Sequence, residues 1–181
     1  TDSLKFVDET TTWGISHPGF SNGAAYADLD NDGDLELIIN QFNSKAKIFK
    51  NNAHELFKNN YLSIKLKGIL PNKDAIGSKV YVYTKGGMQM EELNPYRGYE
   101  SSMEPVLHFG IGKNTAVDSI KIIWPDGAHQ KEINIKANQV VNIAYAATPR
   151  IVDAVIKNNP SLLFKNISGE NGLKYHHTEN A

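Results

Sequence analysis

Apolar and polar side chains alternate along much of this chain, with the period of a β-strand. Leu62, Ile64 and Leu66 interleave with Ser63, Lys65 and Lys67, which predicts a half-buried strand. Val80-Tyr81-Val82-Tyr83 is β-branched and aromatic, and the turn-forming pair Gly86-Gly87 follows it. Ile120, Ile122 and Trp124 alternate with Ser119, Lys121 and Ile123 until Pro125-Asp126-Gly127 breaks the run as a tight turn. Two more strand patterns, residues 131–135 and 139–145, are separated by Ala137-Asn138. Short strands at this spacing indicate a mainly β fold, an antiparallel sandwich or barrel. Helical signals are confined to the C-terminal part. Thr148 suits an N-cap, Pro149 the first helical position, and Ile151, Val152, Val155 and Ile156 one apolar face. Asn158-Asn159-Pro160 ends that helix. Residues 53–57 read as a surface connector, with a short helical turn as the alternative.

One stretch breaks the alternation. Asp28-Leu29-Asp30-Asn31-Asp32-Gly33-Asp34-Leu35-Glu36 carries five acidic side chains in nine residues. Carboxylates packed this closely repel unless a cation sits among them. Oxygen donors at loop positions 1, 3 and 5, a glycine at 6, a backbone carbonyl at 7 and a carboxylate at 9 suit a hard cation, above all calcium. Asp28, Asp30 and Asp32 are the expected side-chain ligands, Asp34 lends its carbonyl, and Glu36 closes the shell. An EF-hand is excluded, because its twelfth position requires glutamate and is Ile39 here, and because the flanks read as strands rather than helices. The competing interpretation is a metal-free acidic hairpin turn, since Asp, Asn and Gly form turns anyway.

Composition narrows the class. The chain has 181 residues, 40% hydrophobic and 22% charged, as expected of a globular protein. Its 19 basic and 20 acidic residues leave a formal charge of −1, so no global field draws it to nucleic acid or an anionic membrane. Cysteine is absent, which excludes disulfides and thiol chemistry. No apolar run approaches the length of a membrane span. A partial repeat is visible: Phe6 stands eight positions before Gly14-Ile15, as Phe164 does before Gly172-Leu173. A recurring unit cut off in its second copy reads as a fragment of a repeat protein.

Two family resemblances follow from these residues. Residues 4–52 resemble an FG-GAP or VCBS repeat, the blade unit of integrin-like β-propellers, through Phe6 to Thr10, Gly14-Ile15, Gly23-Ala24-Ala25, the acidic loop and Ile48 to Asn52. Residues 60–145 resemble the ASPIC/UnbV domain. The matching segments are Asn60-Tyr61-Leu62, Leu66-Lys67-Gly68, Asn72 to Val80, Gly98 to Ser102, Leu107 to Gly112, and Ile123-Trp124-Pro125-Asp126-Gly127. The pairing is similar to that of the cartilage acidic protein family. One departure is Glu36, where the repeat's ninth loop position is most often aspartate. The resemblance implies a sandwich or barrel-like ASPIC/UnbV domain over 53–147. A partial propeller repeat over 1–52 precedes it, and a helix with a truncated repeat over 148–181 follows. It also implies a secreted, periplasmic or cell-surface setting within a larger parent chain, with calcium stiffening a hairpin rather than taking part in a reaction.

Other candidate chemistry is weaker. Phe109-Gly110-Ile111-Gly112 lacks the context of a dinucleotide site and reads as a turn where backbones approach closely. His108 reads as a hydrogen-bonded structural histidine rather than a general base. His176-His177 are adjacent and, on a strand, would face opposite sides. Asn166-Ile167-Ser168 is a glycosylation sequon. Tyr96, Arg97, Tyr99 and Glu100 form either a surface for a sugar or peptide, or a hairpin connection covering the core edge. The expected function is a non-catalytic, calcium-stabilised binding or scaffolding module with a protein or carbohydrate ligand and no membrane span. One alternative is a polysaccharide-processing enzyme or its accessory carbohydrate-binding unit, with acids drawn from Glu91, Glu92, Glu100 or Glu104. Another is a nucleic-acid-binding module with a stripe of Lys65, Lys67, Lys79 and Lys85, which the near-neutral charge disfavours.

Overall fold

The computed structural model describes residues 5–146. The chain divides into two compact units, Thr1–Arg150 and Ile151–Ala181. The helix expected after Thr148, the second partial repeat, Asn166 and His176-His177 all lie outside the described residues.

The first sheet is an antiparallel meander of β1 (Ser21–Ala27), β2 (Glu36–Gln41) and β3 (Lys47–Phe49). A short helix follows, α1 (Ala53–Phe57), where a bare connector was expected. It ends at Lys58, which is left-handed at φ 51°. The remaining strands are β4 (Asn60–Lys67), β5 (Lys79–Thr84), β6 (Gly87–Glu92), β7 (Val106–Gly112), β8 (Ala116–Ile123), β9 (His129–Lys136) and β10 (Val140–Ala144). They make two further sheets, ordered β10-β4-β7 and β6-β5-β8-β9. Both sheets feed one core. Leu62, Ile64 and Phe109 from the first meet Val82, Ile120 and Ile122 from the second, and Trp124 is buried with them. The two ladders stay separate, so the result is a sandwich and no closed barrel.

Two expectations are corrected here. The sandwich is not wholly antiparallel, because β10 runs parallel to β4, pairing Val140 with Ser63 and Ile143 with Leu66. The reason is topological: β9 belongs to the opposite sheet, and the connection at residues 137–139 carries the chain across before β10 begins. Phe109-Gly110-Ile111-Gly112 is not a turn but the end of β7, with Leu107, Phe109 and Ile111 buried on alternate positions. Its glycines mimic turn chemistry, yet only Gly112 has positive φ (58°). Among the described residues the β1–β3 meander is a single three-stranded sheet.

Burial divides this fold. Every buried hydrophobic residue falls between Leu62 and Ile143, and none precedes them among the described residues. In the meander region Phe20, Phe42 and Ile48 are exposed.

Candidate metal centre

The acidic stretch is the β1–β2 connection. Ala27 pairs with Glu36 across the ladder, so the hairpin stems bring the two ends of the motif together. Asn31 (φ 60°) and Gly33 (φ 93°) turn the chain. The Gly33 N–H donates to Asp28 Oδ2 at 3.1 Å, and the Asp34 N–H donates to Asp32 Oδ1 at 2.9 Å. Glu36 is 3% exposed. Its Oε2 accepts the Leu29 N–H at 2.8 Å and its Oε1 accepts the Asn51 N–H at 3.3 Å. The Asp34 carboxylate accepts the His54 N–H at the start of α1.

Three of the five expected ligands converge. Carboxylate oxygens of Asp28, Asp30 and Glu36 all lie within 4.8 Å of one another. Asp28 Oδ1 is buried and has no hydrogen-bond partner. A buried carboxylate oxygen without a partner is costly, and a hard cation bound by neighbouring carboxylates relieves that cost. The donor set therefore suits calcium. The Asp32 side chain stands outside this trio, its oxygens on the Asp34 N–H and 3.9 Å from the Lys50 ammonium. Lys50 also lies 2.6 Å from Asp30 Oδ2. That contact holds the Asp30 carboxyl below the usual range and raises the Lys50 ammonium above its own. Both groups are solvent-facing, so the pair contributes little to stability.

The loop is also packed against the sandwich, a feature absent from the sequence reading. The Tyr61 ring covers Gly33, where an added Cβ would fall 1.9 Å from Tyr61 Cε1. Tyr61 stacks on His108 with centroids 5.4 Å apart and planes 13° from parallel. His108 Nδ1 and the Ser63 hydroxyl share a 2.9 Å hydrogen bond. Burial pushes the His108 imidazole pKa down, opposed by Asp28 and Asp34. Burial, aided by Asp28 and Asp32, pushes the Tyr61 phenol up. His108 is thus the hydrogen-bonded structural residue expected, and Ser63 is buried beside it. Lys50, Asn51, His54 and Tyr61 belong to the loop's surroundings, but their distance along the chain gave no local signal.

The other candidates scatter. Glu91 lies 3.4 Å from Arg97, Glu92 3.9 Å from Lys79, and Glu104 2.8 Å from Lys65. Each of these acids thus faces a cation. Lys65 and Lys67 lie on β4, whereas Lys79 is on β5 of the other sheet and Lys85 is in the turn beyond it, which dismantles the expected basic stripe. Tyr96 and Tyr99 are exposed and do not cover the core edge. The neighbouring loop approaches β1 where side chains are smallest, and a Cβ on Gly23 would meet Ser101 Oγ at 2.7 Å. Beside that contact lies a shallow cleft lined by Asn22, Asn40, Glu100, Ser101 and Ser102.

Residues 68–150 match the family described as ASPIC and UnbV, which supports that assignment for most of the sandwich. Among individual proteins, the chain is similar to cartilage acidic protein 1 of Xenopus tropicalis, with 35% identity over 163 residues. That alignment takes in 84% of this chain and 24% of the relative. Cartilage acidic protein 1 of Homo sapiens is 33% identical over 141 residues, covering 76% of this chain and 21% of the relative. The Mus musculus protein is 34% identical over 133 residues, covering 70% and 20%. The chain therefore spans about a quarter of the length of the Xenopus tropicalis relative and about a fifth of the other two.

Proposed function

We propose that this chain is a calcium-stabilised, non-catalytic binding or scaffolding module within a larger extracellular protein. One observation carries the reading: the unpartnered Asp28 Oδ1 sits among the carboxylates of Asp30 and Glu36, in a hairpin that abuts both α1 and the sandwich. Asp28, Asp30 and Glu36 would hold the ion, with Asp32 and the Asp34 carbonyl completing the shell. The ion would stiffen the hairpin by neutralising crowded carboxylates. The N-terminal meander would be one FG-GAP/VCBS blade. The relatives' name associates them with cartilage, which favours a secreted setting. Among the described residues no helix is long and apolar enough to cross a membrane.

The test is a melting experiment with calcium and with chelator, on the wild type and on Asp30→Ala. Calcium at about 100 times its dissociation constant adds about 2.7 kcal/mol to the folded state. The expected result is a calcium-dependent rise in Tm that Asp30→Ala abolishes. A wild-type Tm indifferent to calcium, in protein shown metal-free by elemental analysis, overturns it.

A carbohydrate ligand is the second reading. The side chains of Asn22, Asn40, Glu100 and Ser102 line the cleft and make no side-chain hydrogen bond among the described residues, beside the exposed Tyr99. A screen of neutral oligosaccharides against wild type and Tyr99→Ala decides it. Binding lost in the variant supports the cleft, and no binding removes it.

A further inference from the structure

A two-layer sandwich ordinarily turns apolar side chains inward and polar ones outward along each strand. The four-stranded sheet departs from this rule. Its inner positions Val80, Val82, Ile120 and Ile122 are buried, as they should be. Its outer positions are also rich in apolar groups: Met88 is 52% exposed, Met90 48% and Ile133 61%. Cross-strand register groups them. Met90, Tyr81, Lys121 and Lys131 form one row across β6, β5, β8 and β9, and Met88, Tyr83, Ser119 and Ile133 form the next.

Two like charges on this face stand side by side. Lys121 and Lys131 stand directly opposite each other on β8 and β9. Like charges at facing positions destabilise a ladder unless an anion lies between them. Lys121 has only the Tyr81 ring beneath it, 5.9 Å from the centroid, and Lys131 has no anionic partner among the described residues. Glu92 faces Lys79, one row away.

We propose that the outer face of the four-stranded sheet is a docking surface for an acidic, apolar-studded segment of a partner protein. Carboxylates of that segment lie between Lys121 and Lys131, and its aliphatic or aromatic side chains cover Met88, Met90, Tyr83 and Ile133. Both halves of the surface choose this partner over a polyanion. Thioether and aliphatic side chains adapt to other apolar side chains but offer nothing to sulfate, phosphate or sugar hydroxyls. The surface is separate from the acidic hairpin, so the proposal stands or falls independently of calcium.

The test is a titration of the isotope-labelled 181-residue chain, followed by amide chemical shifts, with a short peptide of alternating glutamate and isoleucine as the probe. Two further probes are the same peptide with serine in place of glutamate, and heparin. The expected result is saturable shifts confined to β5, β6, β8 and β9, with about fivefold weaker binding for each of Lys121→Gln and Lys131→Gln. A Met88→Ser/Met90→Ser double variant should also weaken binding. Circular dichroism melting checks that each variant remains folded, which is expected because all four side chains point away from the core. Equal binding of the serine peptide overturns the charge half of the proposal. Heparin binding the same face more tightly makes it a polysaccharide surface instead. Concentration-dependent shifts without any peptide make it a self-association face. No saturable binding of the acidic peptide ends the proposal.

Discussion

The β1–β3 meander and the sandwich are both built of short strands, yet they are held in different ways. The sandwich closes two sheets over a shared core in which Leu62, Ile64, Val80 and Ile120 are wholly buried. The meander has no buried hydrophobic residue among those described. Its fixed points are polar: Glu36 holds the Leu29 and Asn51 N–H groups, Asp34 holds the His54 N–H, and Tyr61 of the sandwich roofs Gly33. Hydrophobic burial scales with area and needs no bound ion, whereas carboxylate clamps respond to charge. One part of the chain is held by apolar burial and the other by carboxylates on backbone N–H groups, and the two meet where Tyr61 covers Gly33 and where the loop at Ser101 approaches Gly23.

The strongest way to break this comparison is inside the core. Phe109→Ala removes a ring that is 1% exposed and should cost about 3–5 kcal/mol, read as a lower denaturant midpoint. A loss no larger than that of a surface substitution would mean that the sandwich core is not the main source of stability. Gly33→Ala strikes the joint instead. Its methyl group would collide with Tyr61, at a positive φ that alanine resists, for about 1–3 kcal/mol. Hydrogen exchange should then quicken over residues 28–36 while β8 stays protected, and uniform quickening would show the two regions to be one cooperative unit.

Smaller effects sharpen the contrast. Because the folded state depresses the His108 pKa, its stability is intact above the ordinary histidine value near 6.5. Stability then falls as pH drops from that value toward the lower folded pKa, because the unfolded chain takes up the proton first. The decline should begin below about pH 6.5 and be reduced in His108→Gln, and identical profiles would remove the histidine from the joint. The smallest change is expected at Ile48→Ser. This aliphatic residue of the meander is 64% exposed, and its loss should move stability by no more than about 0.5 kcal/mol in either direction. A cost of core size would reveal packing on the meander comparable to that of the sandwich.

Period-two alternation identified β4, β5 and β8 in the sequence because each has one face in the core, where sterics and burial act residue by residue. It did not identify β6, whose short Met88-Gln89-Met90-Glu91 alternation turns its apolar side chains to the outer face and which is placed by pairing with β5. It misassigned β7 because two glycines there resemble a turn. The acidic hairpin was legible as a loop from its Asp, Asn and Gly content alone. Asp28, Asp30 and Glu36 were among the expected ligands; that Asp32 stands outside their cluster was not legible, because its oxygens meet the Asp34 N–H and approach Lys50, which arrives from the segment after β3.

Taken by itself, the sequence determined a mainly β chain, the ASPIC/UnbV-like pattern of its larger part, and the place where carboxylates are crowded together. These are properties of neighbouring residues, set by strand periodicity, turn chemistry and local charge. Tertiary structure alone decided the parallel pairing of β10 with β4, the seating of Tyr61 on Gly33, and the alignment of Lys121 with Lys131 beside an apolar outer face. Each of these joins residues far apart in the chain, and no local pattern encodes a contact that exists only after the sheets have closed over their core.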